Sequence, residues 1–238
     1  MLKHTILWAA VAGLVFALAP AAQAQLAGQL GLLDLTADYG SGAGVNPATG
    51  SPWALSDPYH LIYVTSALTD ATSTDIADYN AFVQADADAA GIGAGVSWSA
   101  LGSTATVDAQ DNAIITGPVF GISGSKYTAT DAADFWDYIF PAGNLILQLD
   151  GTPKNVHTGS HLGLKSSSPL GNPAPGNVER EWSAWQNWKG AAGFWAATTE
   201  AEMCGISQQL QIVPDPATLA LLSIGGLGLV IRRRRVRG

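Results

Sequence analysis

The stretch Tyr59–Gly91 reads YHLIYVTSALTDATSTDIADYNAFVQADADAAG and sets a strand directly before a helix. Tyr59–Leu68 combines aromatic and β-branched residues over strand length, the pattern of a largely buried strand. In the second half, Ile76, Tyr79, Asn80, Val83 and Ala87 recur at helical spacing, and Phe82 widens the stripe. Ser73 or Thr74 is placed to cap this helix, Asp75 puts negative charge in its first turn, and Gly91 supplies the stop. The spacing predicts a helix over roughly Asp75–Ala90 that packs its Ile76/Tyr79/Val83 face on a core.

Working outward, Leu30–Leu35 is a short apolar run that suits an initial strand, and Gly40–Pro52 (GSGAGVNPATGSP) reads as a loop. The ordered body is expected to begin near Trp53. Downstream, Trp98 and Leu101 fall on a strand or turn, a polar corner follows at TVDAQDN, and Ile114–Phe120 reads as a strand. Thr128–Phe140 (TATDAADFWDYIF) is a second, shorter helix with Thr130 as its cap and Ala133, Phe135, Trp136 and Ile139 as its apolar face. Leu145–Gly151 and Ile206–Ile212 alternate as strands, whereas Pro153–Asn177 turns to Gly, Ser, Pro and Asn and reads as a long surface excursion. No fixed-period repeat is visible, which argues against solenoids and propellers.

The two ends read differently from the middle. MLKHTILWAAVAGLVFALAPAAQAQ has a basic start, an apolar run from Ile6 to Leu18 and the small-x-small triplet Ala22-Gln23-Ala24. That is a secretory signal peptide, residues 1–24, cleaved after Ala24 to leave Gln25 as the first residue. Residues 25–52 are then a flexible N-terminal segment and 53–212 the folded ectodomain. Between Gln25 and Val213 stand five basic and 18 acidic residues, a net charge of −13 against −8 for the whole chain. Phosphate binding needs clustered Lys and Arg, so nucleic acid is not an expected partner. Cys204 is the single cysteine, so no internal disulfide forms; a small buried apolar residue and an intermolecular pairing partner are its two readings.

Candidate chemistry is sparse. Trp182, Trp185, Trp188 and Trp195 make up half of the eight tryptophans. The spacing of the first three suits one side of a helix, and the cluster has two readings, core packing or stacking on sugar rings. Asp108-Ala109-Gln110-Asp111-Asn112 brings the oxygen-bearing side chains of Asp108, Asp111 and Asn112, with Gln110 between them, within five residues. This is the best calcium candidate, although it lacks the spacing and the twelfth-position Glu of an EF-hand, and a hydrogen-bonded corner is its other reading. His157 and His161 are four apart in a Gly/Ser segment, with no H-E-x-x-H, nucleophile elbow, phosphate loop or dinucleotide fingerprint to support them. A hydrolase using His157 or His161 is therefore the alternative to a non-enzymatic protein.

At the other end, Ala217–Ile231 carries no charge and four arginines follow at once. As a helix it spans about 22 Å at ~1.5 Å per residue, short of the ~30 Å hydrocarbon core. The arginines would stay inside and Gln25–Val213 outside. Val213-Pro214-Asp215-Pro216, the apolar stretch 217–231 and Arg232, Arg233, Arg234 and Arg235 together resemble a PEP-CTERM sorting signal over residues 213–238. Asp215 stands where that signal usually has Glu. The resemblance implies a Gram-negative bacterium that makes extracellular polysaccharide, transient membrane anchoring and processing by an exosortase-type enzyme after signal peptidase has acted.

The ectodomain, through YHLIYVTSALTDATSTDIADYNAFVQADA, WSALGSTATVDAQDNA and DFWD, resembles a group of uncharacterised PEP-CTERM surface proteins and, more distantly, C-type-lectin-like domains. Gln110 replaces the usual basic residue of the Asp-Ala-x-Asp-Asn element. That resemblance implies a single α+β, C-type-lectin-like ectodomain with two helices and short antiparallel strands. The expectation is an exported, non-enzymatic cell-surface or matrix protein with extracellular polysaccharide as a candidate partner. A purely structural matrix component is the remaining alternative.

Overall fold

The computed structural model of the protein describes residues 26–122, 128–136, 155–161, 164–165, 169–171, 177–182 and 193–215. Its first elements are β1 (Leu26–Gly28), β2 (Val45–Asn46), β3 (Ser51–Pro52), β4 (Pro58–Val64), α1 (Ile76–Ala89) and β5 (Trp98–Ala100). Next come α2 (Ala109–Asn112), β6 (Val119–Gly121), β7 (Thr128–Ala129), α3 (Ala132–Trp136), β8 (Asn155–His157), β9 (Ser160–His161) and β10 (Leu164–Lys165). β11 (Asn177–Trp182), β12 (Gly193–Ala196), β13 (Glu202–Ser207) and β14 (Leu210–Pro214) complete them. Residues Ala27–Val213 form one compact unit.

β4 is the axis of that unit, because its residues Tyr59 to Val64 are all buried. The main sheet runs β1-β14-β4-β13-β8-β11-β12, with β5 also paired to β13, and β6 joining β4 and then β7. β4 with β6 and β13 with β8 are parallel, while β4 is antiparallel to both β13 and β14. Helices on a mixed sheet make the fold α+β. A strand covered on both faces reads as a near-continuous apolar run, and each large apolar side chain it buries stabilises by about 1.5–3 kcal/mol. On one face Ile62 and Val64 meet Ile206 and Cys204, joined by Val119, Ala129 and Phe135 of α3. On the other, Tyr63 stands edge-on to Trp98 at 5.0 Å and donates its hydroxyl to the Val83 carbonyl of α1.

α1 lies directly on the sheet at Gly205. A Cβ there would stand 2.5 Å from Val83 Cγ1 and 2.6 Å from Tyr63 Cε1, so β13 carries no side chain where the helix crosses it. Asp75 caps the helix by accepting from the Ala77 amide, one residue after Thr74 and two after Ser73, the predicted caps. Ser73 instead bonds the Asp75 amide and the Asp78 carboxylate. The C-terminus closes as predicted on Gly91, with Gly91 N–H bonded to the Asp88 carbonyl and Ile92 N–H to the Ala87 carbonyl, a Schellman arrangement. The buried face is Tyr79, Val83, Asp86 and Ala87, and Ile76 is only half-buried. Asp86 is inside because its carboxylate accepts the amides of Ser66 and Ala67, which turn the chain out of β4.

Asn80, read as part of the apolar stripe, is a hook for the edge of β5. Its Oδ1 accepts the Ala100 amide, Gln84 Oε1 accepts the Trp98 amide, and Asn112 Nδ2 donates to the Ala100 carbonyl. Asn80 and Asn112 also exchange hydrogen bonds in both directions at 2.8 Å. Side-chain amides thus satisfy backbone groups that a bare strand edge would leave open.

Several expectations need correction. Residues 26–52 are not all flexible: β1 pairs with β14, β2 with β3, and Asp34 and Asp38 hold turns through Thr36, Gly40 and Gly42. Those bonds lower both carboxyl pKa values, led by the Thr36 hydroxyl for Asp34 and the Gly42 amide for Asp38. Leu30–Leu35 is turn rather than strand. The strand predicted at Ile114–Phe120 is confined to Val119–Gly121, because Gly117-Pro118 interrupts it and leaves Ile114 66 % exposed. The second helix starts at Ala132, with Asp131 rather than Thr130 accepting the Asp134 amide, and Ala133 is exposed. Leu145–Gly151 lies outside the described residues.

Candidate functional site

The feature that organises a site is a slip between β4 and its partner. Tyr59 faces Leu210 and Ile62 faces Ile206. Between these pairs β4 has two residues, His60 and Leu61, and the opposite strand has three, Ser207, Gln208 and Gln209. β13 and β14 are therefore one strand interrupted by a β-bulge, a device that re-aims side chains and recurs beside functional sites. The other side of β13 stays in register with β5, since Trp98 faces Ser207 and the Gln208 amide bonds the Ser97 carbonyl at 2.7 Å.

Three side chains, Ser207, His60 and Thr116, hold the bulge. Ser207 Oγ accepts the Leu61 amide at 2.9 Å. His60, 1 % exposed, donates from Nδ1 to the Ser207 carbonyl at 2.9 Å, so its Nε2 is the acceptor for the Thr116 amide at 3.1 Å. Thr116 in turn donates its hydroxyl to Gln209 Oε1. One imidazole thus ties the bulge to the 113–118 segment, and the neutral tautomer is fixed by its partners.

In front of the bulge is a cleft of about 340 Å³. It is lined by Ser97, just before β5, by Ser99 of β5, by Asn112, Ile114 and Thr116, and by Ser207, Gln208 and Gln209 of the bulge. None of its lining residues is charged. Asn112 is committed to Asn80 and Ala100, whereas Gln208, Gln209, Ser97 and Thr116 are exposed. The cleft offers hydrogen-bond donors and acceptors beside one exposed aliphatic side chain.

The candidates read from the sequence fall elsewhere. His157 lies in β8, an inner strand between β11 and β13, and it is fully buried with Nε2 donating to the Thr199 carbonyl at 2.7 Å. Residues 156–160 are all buried, as are Leu170 and Gly171, so these parts of the predicted surface excursion belong to the core. His161 is in β9, its backbone opposite Leu164. Trp182 ends β11 opposite Asn155, and Trp195 lies in β12 opposite Val178, so Trp182 is on a strand and not on the predicted helix. Trp185 and Trp188 lie outside the described residues.

Asp108 precedes α2, which replaces the predicted polar corner, and the Asn112 oxygen is turned to Asn80. Among the described residues no group of three His, Cys, Asp or Glu side chains is gathered to hold a metal. Cys204 is buried in the core, as the apolar reading expected. Of the sorting motif, Val213, Pro214 and Asp215 are described and half-buried. Ala22, Ala24, Gln25, Pro216, the 217–231 stretch and the arginines lie outside the described residues. Among the described residues, no helix is long and apolar enough to cross a membrane.

Burial lowers the pKa of both His60 and His157, against the raising effect of the carbonyls they face. A histidine with a depressed folded-state pKa takes its proton first in the unfolded chain. Stability is then complete above the unfolded value of about 6.5 and falls as pH drops through it toward the folded-state value. Each such group contributes at most about 1.4 kcal/mol per pH unit to this slope. Urea unfolding is expected to lose stability below about pH 6.5, and His60→Gln should flatten the slope.

Comparison with family models, with curated proteins and with solved structures finds no match to this chain.

The bulge residues were missed by the sequence reading, although a signal was present. Strict alternation over ISQQLQI would put Gln208 on the same face as Ile206, Leu210 and Ile212. A glutamine at a core position asks for a register change, and the bulge supplies it by moving Leu210 and Ile212 to the Tyr59 face.

Proposed function

We propose that the chain is an exported, non-enzymatic cell-surface or matrix protein of a polysaccharide-producing Gram-negative bacterium. Its lectin-like α+β body is held for a time by the 217–231 helix and then released by an exosortase-type enzyme that acts near Val213–Pro216. Extracellular polysaccharide is the proposed partner of the body. The observation that carries this reading is where the sheet stops: β14 ends at Pro214, at the start of the Pro-Asp-Pro segment. Processing between residues 213 and 217 leaves β1 to β13 whole and removes at most Pro214 from β14, and β1, next to β14, opens the same sheet. The charge of −13 between Gln25 and Val213 suits a body kept apart from anionic envelope surfaces.

The test is the intact mass of the protein recovered from the surface of the producing cells. The expected product begins at Gln25 and ends between residues 213 and 217. Recovery of a product that retains Arg232–Arg235 sinks the reading.

A further inference from the structure

The geometry points to the cleft in front of the Ser207–Gln209 bulge as a binding site for the end of a neutral, hydroxyl-rich glycan, a ligand class that rests on the polysaccharide reading above. The chemistry of the lining selects that class. Ser97 and Gln208 are exposed with a hydroxyl and an amide, which both donate and accept, and exposed Gln209 adds an amide whose Oε1 is taken by the Thr116 hydroxyl. Sugar hydroxyls need both kinds of partner at once. Ile114, 66 % exposed at the rim, supplies an apolar surface for the C–H face of a pyranose ring.

Other ligand classes fit less well. A cation finds no carboxylate among the lining residues, and an anionic polymer finds no Lys or Arg there, on a body that is itself strongly acidic. The volume of about 340 Å³ lies at the lower end of the roughly 300–1,000 Å³ typical of small-molecule sites, which suits a chain end rather than a long polymer. The site is also held before any ligand arrives. His60 fixes the Ser207 carbonyl and the Thr116 amide together, and Thr116 holds Gln209 through its Oε1, a bond that does not use the Gln209 amide NH₂. Holding polar groups in place in advance lowers the ordering cost of binding.

The experiment titrates the isotope-labelled full chain with neutral oligosaccharides of the dextran, mannan, cellulose and chitin types, with an oligogalacturonate as the anionic comparison. Amide chemical shifts are followed by NMR. At least one neutral oligosaccharide is expected to shift Ser97, Ser99, Thr116 and Gln208 saturably, and the galacturonate is not. Gln209→Ala and Ile114→Asp, both at exposed positions, should each weaken binding about tenfold.

The site is overturned if no neutral oligosaccharide shifts those amides, if the galacturonate binds as well, or if both variants bind like the wild type. Shifts confined to Asn177–Trp182 and Gly193–Ala196 also overturn it while leaving glycan binding itself intact. Failure of surface processing would show in the mass of the recovered protein and would leave this titration unchanged.

Discussion

Gly159→Ala is expected to destabilise the protein by about 4 kcal/mol or more, seen as a fall in thermal midpoint of roughly 10 °C at about 2–4 °C per kcal/mol for a chain of this size. Gly159 has φ +55°, a left-handed conformation that disfavours a side chain. Sterics add to this, because a Cβ would stand 2.4 Å from the Leu170 nitrogen and 2.6 Å from the Ser103 oxygen. Both are backbone atoms in a continuous hydrogen-bonded path, in which Ser103 N–H bonds the Thr158 carbonyl and Leu170 N–H bonds the Ser103 carbonyl. Moving either breaks the seam between β8 and the 101–104 segment. Gly91→Ala is the comparison: its φ is +76° but nothing lies within 4 Å of the added Cβ, so about 1 kcal/mol is expected. Thermal melts followed by circular dichroism separate the two, and equal shifts would remove the packing argument.

Asp86→Ala is expected to cost about 3 kcal/mol, the sum of a lost charged acceptor and two backbone donors left without it. The carboxylate, 8 % exposed, takes the Ala67 amide at 2.9 Å and the Ser66 amide at 3.1 Å. These two residues carry the chain from the central strand toward α1. Urea denaturation measures the loss, and Asp86→Asn should recover part of it by keeping one acceptor oxygen. If Asp86→Ala unfolds at the wild-type midpoint, the carboxylate is not what fixes this turn.

Much of the body was legible because its strongest elements are locally consistent. Tyr59–Val64 is apolar apart from His60 because it is covered on both faces, and Ile76–Ala89 has both helical period and terminal signals. The readings that failed did so where a tertiary partner outweighed local composition. His157–Ser160 looks like a polar loop, yet it is an inner strand and a glycine turn whose polar groups bond within the core, Ser160 Oγ with Ser103 Oγ at 2.8 Å among them. Composition sees the polarity and not its partners. Ile114 looks like the start of a strand, but Gly117-Pro118 returns the chain late and leaves it at the rim of the cleft.

The candidate site was the least legible part. It depends on one residue too many between Ile206 and Leu210, and only the facing strand shows that count. Asn80, Asn112 and His60 likewise read as ordinary positions on their own elements, and their roles come from residues 12 to 147 positions away.

The central claim is that this body is made to be exported and then separated from its C-terminal segment. Intact-mass analysis with terminal sequencing of protein taken from the cell surface tests it most directly, because a single spectrum reads both ends. The expected chain starts at Gln25 and ends between residues 213 and 217, with every strand from β1 to β13 retained. A surface-recovered chain that still carries residues 218–238 would contradict it.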